Sequence, residues 1–293
     1  MTQTVAFIGL GNMGAPMAGN LVKGGFAVTG FDPVAEARTG AAARGITIRD
    51  TAVEAVRGAD IVVTMLPSGA LVRKVWAEIA PHVADGTLLI DCSTIDVESA
   101  RAAHALFAGR CDTLDAPVSG GTGGAEAGSL TFMLGGRDHA IHRALTVLRP
   151  MAGRIVPCGG PGNGQAAKLC NNMILGISMI AVSEAFVLAE KLGLEHQALF
   201  DVASTSSGQC WALTSYCPVP GPVPASPANR DYVPGFAAGL MLKDLRLARE
   251  AAEAVEAQTP LGHHAAELYT RFNDEGGAGQ DFSAIIRFLR NPG

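Results

Sequence analysis

Apolar residues in the N-terminal half come in short unbroken runs rather than in alternation with polar ones. Val5-Ala6-Phe7-Ile8, Phe26 to Phe31, Asp60 to Leu66 and Thr87 to Asp91 are such runs, and the stretches between them carry helical spacing. Unbroken runs suit strands buried on both faces. Their alternation with helices predicts a doubly wound parallel sheet, an α/β fold of the Rossmann type. A later run, Thr131 to Leu134, adds another strand. Past Gly164 the period changes. Gln165 to Leu192 reads as one helix closed by Gly193, roughly 40 Å long at about 1.5 Å per residue. Helical spacing returns near 195–204, 236–257 and 261–274 with no strand between, so an all-α second domain is expected. The breaker cluster Pro157-Cys158-Gly159-Gly160-Pro161-Gly162-Asn163-Gly164 is the expected boundary. It gives a sheet domain over 1–163 and a helical domain over 164–293.

The first run leads straight into Gly9-Leu10-Gly11-Asn12-Met13-Gly14. A helix is expected from Met13 to Lys23, and the second run ends at Asp32. In a G-x-G-x-x-G turn between strand and helix, the first glycine permits the tight turn. The second lets the backbone approach a pyrophosphate, and the third brings the helix onto the strand. The helix N-terminus adds unpaired N–H groups and a partial positive charge. Gly9, Leu10, Gly11, Asn12, Met13 and Gly14 are therefore candidate contacts to a dinucleotide. Asp32 is placed to accept hydrogen bonds from the adenosine ribose and to repel a 2′-phosphate. No Arg follows it immediately, so NAD is expected over NADP. Asp32 also reads as an ordinary solvated acid in a turn before Pro33. Ligands on such sheets bind beyond the carboxyl ends of the strands. Leu66-Pro67-Ser68 and Asp91-Cys92-Ser93-Thr94 sit there; each reads as a lining of the nicotinamide half or as a plain polar loop.

Composition narrows the class. The net charge of −5 leaves no basic stripe for phosphate backbones, so nucleic acid is not an expected partner. The six cysteines form no C-x-x-C pair and read as reduced thiols of a cytoplasmic protein. Val5 to Ile8 already reads as a core strand, which leaves no room for a signal peptide. Met173 to Ala189 is the most apolar stretch, but Ser183 and Glu184 break it, so a buried helix is expected rather than a membrane span. His263 and His264 are adjacent and diverge on a helix, and no metal-ligand spacing stands out.

Asp115-Ala116-Pro117-Val118-Ser119-Gly120-Gly121 precedes Gly123-Gly124-Ala125 and Gly128-Ser129-Leu130-Thr131. Such a run exposes successive backbone N–H groups that suit a carboxylate, or else serves as a connector between strands. On the long helix Lys168 and Asn172 share a face that continues into apolar Leu175 and Met179. A lysine there either snorkels to solvent or is buried, and burial disfavours its charged form.

Four motifs in this order, GLGNMGAPMAGNL, DCSTID, DAPVSGGTGGAEAGSLTFMLGG and GNGQAAKLCNNM, closely resemble the β-hydroxyacid dehydrogenases. The resemblance runs from the first strand to the last helix. It implies that Lys168 is the catalytic lysine, with Asn172 beside it, and that Ser119, Gly120 and Gly121 bind the substrate carboxylate. It further implies that Leu66, Pro67 and Thr94 touch the cofactor and that Lys243 lies near the nicotinamide. SSGQCWALTSYCPVPG, MLKDL, TPLG and DFSAI look most like the branch acting on 3-hydroxyisobutyrate, a step of valine breakdown. The implied activity is NAD-dependent oxidation of a small hydroxy acid. Alternatives are a tartronate semialdehyde reductase, or a dinucleotide-binding module without catalysis. Cys217 to Gly235 holds six prolines and reads as a surface loop or as a flap over the site. Trp211 then reads as a core residue or as a substrate contact. The apolar helices suggest a homodimer or homotetramer.

Overall fold

The computed structural model describes residues 3–290. The chain divides into two compact units, Met1–Lys168 and Leu169–Gly293. In the first unit β1 (Thr4–Ile8), α1 (Gly14–Lys23), β2 (Ala27–Phe31), α2 (Ala35–Ala42), β3 (Thr47–Ile48) and α3 (Ala52–Val56) come first. Then follow β4 (Ile61–Thr64), α4 (Gly69–Ile79), β5 (Leu88–Asp91), α5 (Val97–Leu106) and β6 (Asp112–Asp115). The unit's later part holds β7 (Val118–Ser119), α6 (Gly121–Ala127), β8 (Leu130–Gly136), α7 (Asp138–Leu148) and β9 (Ala152–Gly159).

These strands form one sheet in the order β3-β2-β1-β4-β5-β6-β8-β7, with β9 also on β8. The first six are parallel, which is the doubly wound order with its switch point between β1 and β4. β8 reverses direction against β6, so the sheet carries an antiparallel extension that the strand runs did not predict. Alternate residues face opposite layers. Phe7, Val63 and Ile90 pack with Met17, Leu21 and Val147 on one side. Ala6, Ile8, Val62 and Leu89 pack with Val72, Trp76, Ile79 and Ala103 on the other. Two apolar faces explain the unbroken runs. Truncating a filler such as Phe7 to Ala costs about 3–5 kcal/mol. Pro157, expected to break structure, lies within β9 opposite Leu134. β9 pairs only with β8, and an edge strand tolerates a residue without an N–H.

The long helix α8 runs Asn163–Leu192, begins in the first unit and continues into the second. α9 (His196–Thr205), α10 (Trp211–Thr214), α11 (Ala238–Ala254), α12 (Pro260–Asp274) and α13 (Ile285–Arg290) complete the second unit. Among the described residues it contains no strand, only an isolated bridge between Ala237 and Asp281. Its core gathers Met179, Phe186, Met241, Leu245, Tyr269, Phe282 and Ile286. By length and composition α8 is apolar enough to cross a membrane, with mean hydropathy 1.8 over its most apolar window. The helical core already accounts for Met179, Ile180, Val182 and Phe186.

Candidate active site

Glycines report where the protein itself fills space. Gly9 has φ +94°, and a Cβ there would lie 2.2 Å from the Met65 carbonyl oxygen. A Cβ on Gly14 would lie 1.9 Å from the Gly9 carbonyl oxygen. Gly14 is demanded by the tight approach of α1 to the end of β1, and Gly9 by its positive φ and by the segment just beyond β4. Gly11 is different: a Cβ there meets nothing within 4 Å. Internal packing therefore does not require it, whereas a pyrophosphate laid on the open backbone does. Met13 precedes α1 without a side-chain cap, which leaves the first N–H groups to an anion. The turn fits a dinucleotide.

Asp32 is buried, and both carboxylate oxygens are engaged. Oδ2 accepts from Leu10 N at 2.8 Å and Oδ1 from Val34 N at 2.8 Å. It therefore holds the fingerprint loop, and each oxygen keeps a second lone pair. Arg38 returns to this corner, donating to the Asp32 carbonyl at 2.7 Å and the Pro33 carbonyl at 3.1 Å. Sequence spacing missed it, because Arg38 sits one turn into α2 rather than beside Asp32.

The two polar segments beyond β4 and β5 are tied into one network. Asp91 Oδ1 accepts from Thr64 Oγ1 at 2.7 Å, from Ser93 Oγ at 2.6 Å and from Ser93 N at 3.3 Å. Trp76 Nε1 donates to Thr64 Oγ1, and Leu66 N donates to Ser93 Oγ at 2.7 Å. Full burial pushes the Asp91 carboxyl up to about 6, against the hydrogen bonds from Ser93 and Thr64 and with help from the nearby Asp115 charge. Leu66 and Thr94 are half-buried and Pro67 is exposed beside this network, beyond the carboxyl ends of the strands.

Asp115 ends β6, is buried, and gathers three donors. Its oxygens accept from Gly162 N at 2.7 Å, Gln165 N at 2.9 Å and His104 Nε2 at 3.0 Å. The carboxylate thus caps the start of α8, where a negative charge is favoured by the helix dipole. At Gly164 the approach is close enough that a Cβ would lie 2.4 Å from the Met133 carbonyl oxygen. Lys168 follows on this anchored first turn and is 7% exposed, so the buried reading holds over the snorkelling one.

The glycine-rich run after Asp115 is more ordered than a connector. Val118–Ser119 pairs with β8, and α6 begins at Gly121. Gly120 adopts φ +135°, while Ser119, Gly120 and Gly121 remain accessible at the surface.

In the second unit Asn172 is 1% exposed, and its Nδ2 donates to Asp244 Oδ2 at 2.5 Å. Lys243 Nζ lies 4.0 Å from Asp244 Oδ1. Asp244 is buried and was not singled out from sequence, although it sits beside Lys243 in the quoted MLKDL. Trp211 is 52% exposed, so it is not a core residue. It stacks on Tyr216 at 5.0 Å, which stacks in turn on Phe282. The proline-rich stretch is held in place: Tyr232 Oη donates to the Pro218 carbonyl and Ser226 Oγ to the Cys217 carbonyl, each at 2.6 Å. Among the described residues no group of His, Cys, Asp and Glu is arranged to hold a metal ion.

Known proteins match both halves. A family model described as the NAD binding domain of 6-phosphogluconate dehydrogenase matches residues 4–160. One described as NAD-binding of NADP-dependent 3-hydroxyisobutyrate dehydrogenase matches residues 162–289. A probable 3-hydroxyisobutyrate dehydrogenase of Mycobacterium tuberculosis is 54% identical, with 98% of each chain covered. The chain belongs to the β-hydroxyacid dehydrogenase family.

As a member of that family it is an oxidoreductase that binds a nicotinamide dinucleotide. An NAD-dependent L-serine dehydrogenase of Pseudomonas aeruginosa is 46% identical, with 97% of each chain covered. Among solved structures, a 3-hydroxyisobutyrate dehydrogenase of Mycobacterium tuberculosis with L-serine superposes with a TM-score of 0.96. That pair shares 53% identity over 99% of this chain and 100% of the other.

Proposed function

We propose that this protein oxidises 3-hydroxyisobutyrate to methylmalonate semialdehyde with NAD, using Lys168 as the general base. The observation that carries the reading is a buried lysine on a helix turn whose backbone is capped by Asp115. A lysine amine in its neutral form accepts a proton from an alcohol as hydride leaves the adjacent carbon. Ser119, Gly120 and Gly121 receive the substrate carboxylate, leaving the hydroxyl for Lys168. The nicotinamide supplies the hydride acceptor. As the carbinol C–H bond breaks toward it, Lys168 takes the hydroxyl proton and the C–O bond becomes a carbonyl. Asn172 follows one turn along α8, and Trp211 and Lys243 enter the proposal through the family resemblance.

NAD is favoured over NADP because the buried Asp32 carboxylate, just past β2, would repel a 2′-phosphate on the adenosine ribose. Ile174, Leu188 and Leu192, all exposed along α8, support self-association into a dimer or tetramer, which light scattering reads directly. A cytoplasmic setting agrees with six free thiols.

L-Serine is the second reading. It too is a 3-hydroxy acid, and it appears in the names of an NAD-dependent relative and of a near-identical fold. Following nicotinamide absorbance with 3-hydroxyisobutyrate, L-serine and glycerate, each with NAD and NADP, tests the proposal. Lys168→Ala should lower kcat at least ~100-fold with NAD binding retained, in line with general-base contributions. Near-normal turnover in that variant overturns the mechanism.

A further inference from the structure

Gln165 stands on the first turn of α8, three residues before Lys168, and is fully buried. Its side chain does not pack as a filler. Nε2 donates to the Ser93 carbonyl at 2.7 Å, and Oε1 accepts from Ile95 N at 3.1 Å. The two bonds bracket Thr94, so the amide pairs with that loop as a neighbouring strand would. Ser93 is itself fixed from the other side, since its hydroxyl donates to Asp91 and accepts from Leu66 N. Gln165 N, meanwhile, is held by Asp115. One side chain therefore joins the segments beyond β4 and β5 to the helix turn that carries the lysine.

We propose that Gln165 is a positioning residue that sets the distance between the nicotinamide-lining loop and Lys168; this rests on the role assigned to Lys168 above. A backbone bracketed by two hydrogen bonds loses its alternative conformers. A hydride-accepting carbon and a base that must both meet one substrate gain from that, because a displacement of about 1 Å costs up to ~100-fold in rate. Asp115 alone fixes where the helix begins. Gln165 adds a direct tie from that helix start to residues 93–95.

The test is Gln165→Met, which keeps the volume and removes both bonds. Expected are a kcat lowered at least ~10-fold, an NAD Kd changed less than ~3-fold, and a larger primary deuterium isotope effect on kcat as hydride transfer becomes limiting. A residue serving the fold alone would lower the Tm and leave the isotope effect of the folded fraction unchanged. Where the Met variant does not fold, Gln165→Glu is read in its place. It keeps the acceptor for Ile95 N and as a carboxylate loses the donor to Ser93, and the same signs are expected at smaller size. Wild-type kcat and isotope effect in the variant that folds overturn the inference. A wild type that oxidises none of the 3-hydroxy acids overturns the proposed function and this inference together, so the two failures are told apart.

Discussion

Asn172 Nδ2 donates to Asp244 Oδ2 across 2.5 Å, while Asn172 Oδ1 accepts from Asn171 Nδ2 at 2.9 Å. The amide orientation is thereby set by the protein, because Asp244 only accepts when ionised. Asn172 keeps one N–H and one lone pair for a ligand. Asp244→Ala should release the amide, leave its N–H unpaired, and lower kcat by roughly 10-fold while NAD binding changes little. Steady-state kinetics with 3-hydroxyisobutyrate alongside NAD titration checks this. An unchanged kcat would mean that Asn172 needs no second residue to hold it.

This pair marks the limit of what the sequence alone revealed. The strand runs, the glycine turn and α8 were legible because each depends on local period or on a local steric demand. That Lys168 and Asn172 share a face of α8 was legible because one helix places them a turn apart. Asp91 and Asp115 were named only as members of longer segments, and Asp244 and Gln165 were given no role. Their partners lie between two and 72 positions away, and a buried acid or amide looks like a surface one until the fold is known. Beyond β6 the run Thr131 to Leu134 foretold β8, but β7 and β9 were missed for a related reason. β7 has two residues and β9 includes a proline, so neither has the composition of a strand.

Cofactor choice turns on Asp32 and Arg38. Asp32→Ser removes the charge that repels a 2′-phosphate but also the acceptor for Leu10 N. NAD-dependent kcat/KM should fall, and the NAD-to-NADP ratio should narrow by at least ~10-fold, one unit of charge interaction at a partly desolvated site. Arg38, anchored at the Asp32 carbonyl, is expected to serve as the cation for that phosphate. Adding Arg38→Ala to the Asp32 variant should widen the ratio again. Wild type using both cofactors equally would remove the repulsion argument.

Asp91 makes stability depend on pH. Its carboxyl titrates near 6 in the fold, whereas in an unfolded chain the value is about 4. Between the two the folded state holds a proton that the unfolded chain has lost. Its contribution is therefore complete below about pH 4 and lost as pH rises through about 6. The stability of wild type minus that of Asp91→Asn, from urea melts, should fall by on the order of 2–3 kcal/mol between about pH 4 and about pH 7. A difference that does not vary with pH shows that Asp91 stays ionised throughout.

Substrate choice is the sharpest test. 3-Hydroxyisobutyrate, glycerate and L-serine share a carboxylate and a 3-hydroxyl and differ at C2, which bears a methyl, a hydroxyl or an ammonium. A hydroxyl or an ammonium taken from water needs a partner, and an ammonium needs a charged or strongly polar one. Residues 206–217 around Trp211 contain no acid. The exposed Trp211 ring, steadied by Tyr216 and Phe282, instead offers apolar surface that suits a methyl. One methyl in an apolar pocket is worth only ~1–3 kcal/mol, so discrimination should be about 10- to 200-fold in kcat/KM for 3-hydroxyisobutyrate over glycerate. Trp211→Ala should shrink that ratio by lowering the 3-hydroxyisobutyrate value while leaving glycerate nearly unchanged. If glycerate wins in the wild type, the protein is a tartronate semialdehyde reductase working in reverse. If L-serine wins, an acceptor for its ammonium lies outside the Trp211 segment, and the second reading replaces the first.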